Sequence, residues 1–172
     1  MSLNWGKGLA EAAQPKSEKN YLINGKYLVE LLSFKEVNSK RSNDQYAVWE
    51  VQILEVIQDR KVESKATGTV YRSHAVGDRP SYVANFRWRN IFDVIKAFLC
   101  AIMEISPEES AKMDAEEWSQ IADRAFDNDG EALRGSQLII DAEHIEIGKP
   151  PTKDFTKVSF YPATHLAEEV PF

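Results

Sequence analysis

The sequence predicts a mainly β fold with inserted helices: a five-stranded barrel with its helical region between strands 3 and 4. Two long segments support this, because Tyr27, Val29 and Leu31, and later Ala47, Trp49, Val51 and Ile53, alternate with other residues at a period of two. A single strong helical pattern interrupts the strands: Ile91, Val94, Ile95, Phe98, Leu99 and Ile102 fall on one stripe. Two more alternating segments then close the chain, and runs of strands broken once by helix suit a small mixed barrel.

Residues 1–22 are polar and mixed around Pro15, and read as an N-terminal arm with a short helix near Leu9 to Ala13. The domain body is expected over 23–162. Asn24-Gly25 signals a turn into the first strand, and the polar turn "NSKRSND" leads to the second, "QYAVWEVQILEVI". Residues 58 to 68 read as a polar connection. "TVYRSHAV" and "RPSYVANF" read as strands around the Gly77-Asp78 turn, with Pro80 marking an edge or bulge.

A helical insertion is expected over about 90–127. Asn90 is a candidate N-cap for the first helix. Ser106 and Pro107 open an acidic helical region, in which Trp118, Ile121, Ala122 and Ala125 share a face, and "NDG" at 128–130 stops it. "SQLIIDAEHIEI" and "FTKVSFYP" are the closing strands, and residues 163–172 form an acidic tail. The order of strands and helix matches the oligonucleotide-binding (OB) barrel. Another small β-rich sandwich or an α+β fold is the competing reading.

The 172 residues fit one domain with a real core, since 43% are apolar and 28% charged. The longest apolar stretch, "AFLCAIM", is far short of the roughly 20 residues of a membrane span, so no membrane association is expected. The start of the chain lacks the apolar segment of a signal peptide, and the single Cys100 fits a reducing cytoplasm. Net charge is −6, but residues 104 to 131 hold ten acids against Lys112 and Arg124, a net −8 that leaves +2 for the rest. An acidic total is thus compatible with a basic groove.

Catalytic and metal chemistry find no foothold. His74, His144 and His165 lack a second ligand at metal spacing, and Gly6-Lys7-Gly8 is not a phosphate loop. No cofactor, metal or enzymatic activity is expected. Arginine interleaved with aromatic side chains stands out instead: Tyr71-Arg72, then Arg79, Tyr82, Arg87, Trp88 and Arg89. Single-stranded nucleic acid calls for this mixture, because bases stack on aromatic faces while cations follow the phosphates. For each aromatic, a place in the core is the competing reading. Lys40 and Arg41 in the first hairpin, and Lys149, Lys153 and Lys157 around the last, fall on loops that flank the binding face of an OB barrel.

These segments resemble a known family. "GKYLVELLSFKEVNSKRSNDQYAVWEVQILE", "VGDRPSYVANF", "NIFDVIKAFLCAIM" and "DFTKVSFYP" together are similar to the single-stranded DNA-binding proteins of tailed bacteriophages, over roughly residues 20 to 162. The resemblance implies an OB-fold protein that coats single-stranded DNA during phage replication and recombination, in the host cytoplasm. The final "AEEVPF" is similar to the tip of bacterial single-stranded DNA-binding proteins, although it has two Glu in place of a run of Asp. That similarity implies that Glu168, Glu169, Pro171 and Phe172 recruit replication or recombination proteins. Self-association stays open. A non-enzymatic phage adaptor that binds protein rather than DNA is the alternative, with Tyr82 and Trp88 in its anchor patch.

Overall fold

The structure is a computed structural model that describes residues 21–41, 43–150 and 152–168. Its strands are β1 (Gly25–Asn38), β2 (Gln45–Gln58), β3 (Lys61–Glu63), β4 (Val70–Arg72), β5 (Ser81–Asn85), β6 (Gln137–Ile147) and β7 (Lys153–Pro162). Between β5 and β6 lie helices α1 (Ile91–Ile102), α2 (Pro107–Lys112) and α3 (Ala115–Phe126), and a 3-10 segment Asp127–Leu133; α4 (His165–Glu168) follows β7. The fold is mainly β, and five strands form one antiparallel sheet in the order β5-β2-β1-β6-β7.

Alternation dictates which face of the sheet is buried. Phe34 of β1 pairs with Trp49 of β2, which pairs with Tyr82 of β5, so three rings cross three strands in one row. Their centroids are 4.9 Å apart for Phe34–Trp49 and 5.1 Å for Trp49–Tyr82. Phe98 of α1 packs on Phe34 at 4.8 Å, and Phe126 of α3 at 4.2 Å. The helices therefore cover the same face that the strands turn inward.

The sheet is strongly curled. Three steps separate β2 from β7, which would set them about 14 Å apart in a flat sheet. Yet the ring of Phe160 on β7 lies 5.9 Å from Trp49 and 6.2 Å from Tyr82. Register shifts between Lys26 and Tyr27, Leu28 and Val29, and Leu31 and Ser33 sharpen the bend of β1. Among the described residues no ladder joins β5 to β7, so hydrogen bonds do not close the sheet into a barrel. Instead, Tyr21 bridges to Ser81, and the Leu22 N–H donates to the Ser81 carbonyl at 2.7 Å.

Three expectations need correction. Five strands precede the helices rather than three, because the polar stretch after β2 folds as a small separate hairpin. There β4 pairs with β3 and not with β5. Leu22 is buried in the core, so the body starts before residue 23. Asn90 precedes α1 without a side-chain capping bond, whereas Ser106 Oγ does accept from Glu109 N–H at 3.1 Å, with Pro107 next to it.

The "NDG" stop acts through backbone conformation. Asn128, Asp129 and Gly130 all have positive φ, and a Cβ on Gly130 would lie 2.8 Å from the Phe34 nitrogen. Only glycine lets the chain turn there while lying against β1. The arm up to residue 20 and the tail residues Glu169, Pro171 and Phe172 lie outside the described residues, as does the side chain of Glu168.

Candidate nucleic-acid interface

The β1–β2 hairpin and the segment after β5 are knitted together. The Phe86 N–H donates to the Gln45 carbonyl at 3.0 Å, extending the ladder by one step. Asn85 Oδ1 accepts from the Arg87 N–H at 2.8 Å, which turns the chain after the strand. Arg87 then reaches Asp44 across the hairpin, Nε to Oδ1 2.8 Å. Lys40, Arg41, Arg87 and Arg89 are all exposed at this end of the sheet. The Arg87 side chain is 73% exposed, so its pairing with Asp44 is worth at most about 1 kcal/mol and is easily exchanged for another anion.

Trp88 continues this cluster to the far edge of the sheet. It is half-buried, and its ring meets Phe155 of β7 edge-on at 5.5 Å. Lys153, Phe155 and Lys157 alternate along β7, so they share the face opposite buried Phe160. Lys149 is exposed in the turn between β6 and β7. Two aromatic rings in contact are thus flanked by Arg87 and Arg89 on one side and by Lys153 and Lys157 on the other.

Other expected contacts fall elsewhere. Tyr82 belongs to the core, since its ring packs against Trp49 and it is 6% exposed. A base cannot stack on it, and it leaves both the DNA-binding set and the adaptor's anchor patch. Burial also pushes its phenol up to about 12, from the usual 10.0. The sign follows: above pH 10 the unfolded phenol loses its proton before the folded one does. Stability from the buried neutral ring is full below pH 10 and is lost as the pH rises towards 12. Denaturation midpoints between pH 9 and 12 are expected to fall less steeply in Tyr82→Phe than in the native protein, and parallel curves would contradict this.

Tyr71 is also committed. Its ring stacks on His144 at 5.0 Å and its hydroxyl donates to Asp154 Oδ2 at 3.2 Å. Arg72 is exposed on β4, in register with Lys61. Arg79 precedes β5 while Arg87 follows it, so the length of that strand, about 17 Å, separates them. The outward face of β1 and β2 is not a basic surface either. Lys35 Nζ is bound to Glu50 Oε1 at 2.7 Å, and that hydrogen bond holds the Glu50 carboxyl below its usual range.

Two aromatics near the cluster escaped the sequence reading. Phe155 could have been found from its i±2 spacing to Lys153 and Lys157. Phe92, 77% exposed in the first turn of α1 and three residues after Arg89, stands off the apolar stripe of its helix. Among the described residues, no group of three His, Cys, Asp or Glu could hold a metal ion, and no helix is long and apolar enough to cross a membrane. No family model matches the chain, and no curated protein matches it.

Proposed function

We propose that this protein binds single-stranded DNA with little regard to sequence, coating and protecting it during phage replication or recombination. The Trp88–Phe155 pair, flanked by Arg87, Arg89, Lys153 and Lys157, carries this reading. Trp88 packs against the edge of the core, but unlike the fully buried rings this half-buried pair has exposed cations as its sequence neighbours, where stacked bases and neutralised phosphates can meet. Any base has a face to stack, so such a surface tolerates sequence. The finer fold reading is an OB-type barrel. With the β3–β4 hairpin set aside as an insertion, the sheet strands run β1, β2, β5, β6 and β7, with the helices between the third and fourth. The basic β1–β2 and β6–β7 hairpins then correspond to the loops that flank an OB binding face.

Trp88 gives this reading a direct optical test. Titration of the native protein with an oligo-dT is expected to quench tryptophan fluorescence, and Trp88→Phe to reduce that quench, because Trp49 is sealed in the core and Trp118 lies on the acidic helix α3. Quenching that survives the substitution unchanged would place the strand elsewhere.

The C-terminal tip is proposed to recruit partner proteins. A terminal phenylalanine can fill an apolar pocket while its carboxylate pairs with Arg or Lys and the adjacent glutamates meet a basic rim. The same acids compete with phosphate for the basic cluster. Deleting residues 166–172 is expected to raise affinity for oligo-dT at low salt and to abolish partner capture. Loss of neither effect's baseline, with both affinity and capture as in the full chain, would refute this role.

A further inference from the structure

Phe155, which shares its strand face with Lys153 and Lys157, also lines a cleft of about 230 Å³ between the segment leading into β1 and the β3–β4 and β6–β7 hairpins. Tyr21, Asn24, Tyr71, His144, Asp154 and Phe155 are among its lining residues. Asp154 is the fixture that organises it. One carboxylate oxygen accepts from Ser64 Oγ at 2.6 Å and lies 2.9 Å from His144 Nε2, and the other accepts from the Tyr71 hydroxyl. Those bonds, led by that from Ser64, hold the Asp154 carboxyl below its usual range. The stacked Tyr71–His144 pair is thereby fixed as one wall, with Phe155 contributing another aromatic surface.

Asn24 supplies an independent observation. It is 1% exposed, and neither its Nδ2 nor its Oδ1 has a hydrogen-bond partner among the described residues. A buried carboxamide with both groups unbonded can be satisfied by a partner that offers an acceptor beside a donor. Nucleobases offer both on one edge, and a carboxamide can turn over to meet either order. The aromatic walls suit the same ligand, because they accept the face of a flat ring.

We propose that this cleft takes one base of the bound single strand, its ring against the aromatic walls and its edge on the Asn24 carboxamide. This rests on the single-stranded DNA reading above and adds a site outside the basic cluster. Because Asn24 is so deeply buried, the base reaches it by drawing the cleft open at Tyr21. That residue is 48% exposed and, among the described residues, forms an isolated bridge to Ser81 rather than part of a ladder.

The test uses the full chain, a twelve-residue oligo-dT and the variant Asn24→Leu. Leucine keeps the branching and heavy-atom count of asparagine and removes the unbonded polar atoms, which offsets the strain of its larger methyl groups, so the variant is expected to stay folded. Its affinity for the oligonucleotide should drop roughly tenfold while the salt dependence stays unchanged, since a base contact rather than a phosphate contact is lost. Affinity equal to the native protein's would overturn the base pocket while leaving the parent reading intact. A reduced salt slope would overturn it too, by showing that the lost contact was to phosphate. If the native protein bound no oligo-dT, both readings would fall together. Should Asn24→Leu not fold, side-chain amide NMR of the native protein decides: the Asn24 NH₂ signals shift on titration if a base reaches them and stay fixed if none does.

Discussion

Trp49→Ala is expected to lower stability by about 3–5 kcal/mol, the range for removing a large buried ring. Trp49 is fully buried, and four rings from β1, β5, α1 and β7 lie within 6 Å of its own. Together with the direct Tyr82–Phe160 contact, it ties the two far edges of the curled sheet together. A domain's whole stability is about 5–15 kcal/mol, so the loss is a large share of it. For a chain of this size, the melting temperature should drop by roughly 6–20 °C. Trp49→Phe should cost clearly less, because it keeps a ring in the row and removes an indole N–H that has no hydrogen-bond partner among the described residues. Calorimetry of the three proteins checks this, and equal losses for the two variants would contradict it.

The largest functional effect is expected from Arg87→Glu combined with Arg89→Glu. Both side chains are exposed, so the fold should survive, with a melting temperature lowered by no more than a few degrees through loss of the Arg87–Asp44 pair. Each lost phosphate contact on a single strand reduces the salt slope by about 0.7, and two reduce it by about 1.4. Relative to 1 M salt, where the electrostatic term vanishes, that corresponds at 50 mM to roughly 65-fold weaker binding, before any repulsion from the new carboxylates. Titrations of the variant and the native protein at several salt concentrations measure both quantities. Parallel salt slopes would remove these arginines from the interface.

How much of this was legible in the sequence depends on what each residue type could reveal. The long strands and α1 were readable because burial on one face imposes a period, as Phe34 and Trp49 do on β1 and β2. The β3–β4 hairpin was legible only in part: "TVYRSHAV" reads as a strand and contains β4, whereas β3, three residues in a polar stretch, is too short to show alternation. Ser64, Tyr71 and His144 instead fix it through the Asp154 carboxylate, which local sequence does not display. Tyr82 was misread because an aromatic beside arginines looks the same whether it faces bases or the core. Its register with Trp49 decides the matter, and register is a property of the pairing rather than of the segment. The basic hairpins were legible as charge. Their link through Trp88 and Phe155 was not, because it joins residues 67 positions apart.

The central claim is that this fold presents a stacking and phosphate-binding surface for single strands. Fluorescence anisotropy of labelled oligo-dT, titrated with the native protein across salt and beside a duplex control, tests it most directly. The account predicts tight binding to the single strand that weakens steadily as salt rises, with far weaker binding to duplex. No binding to the single strand at low salt would contradict it.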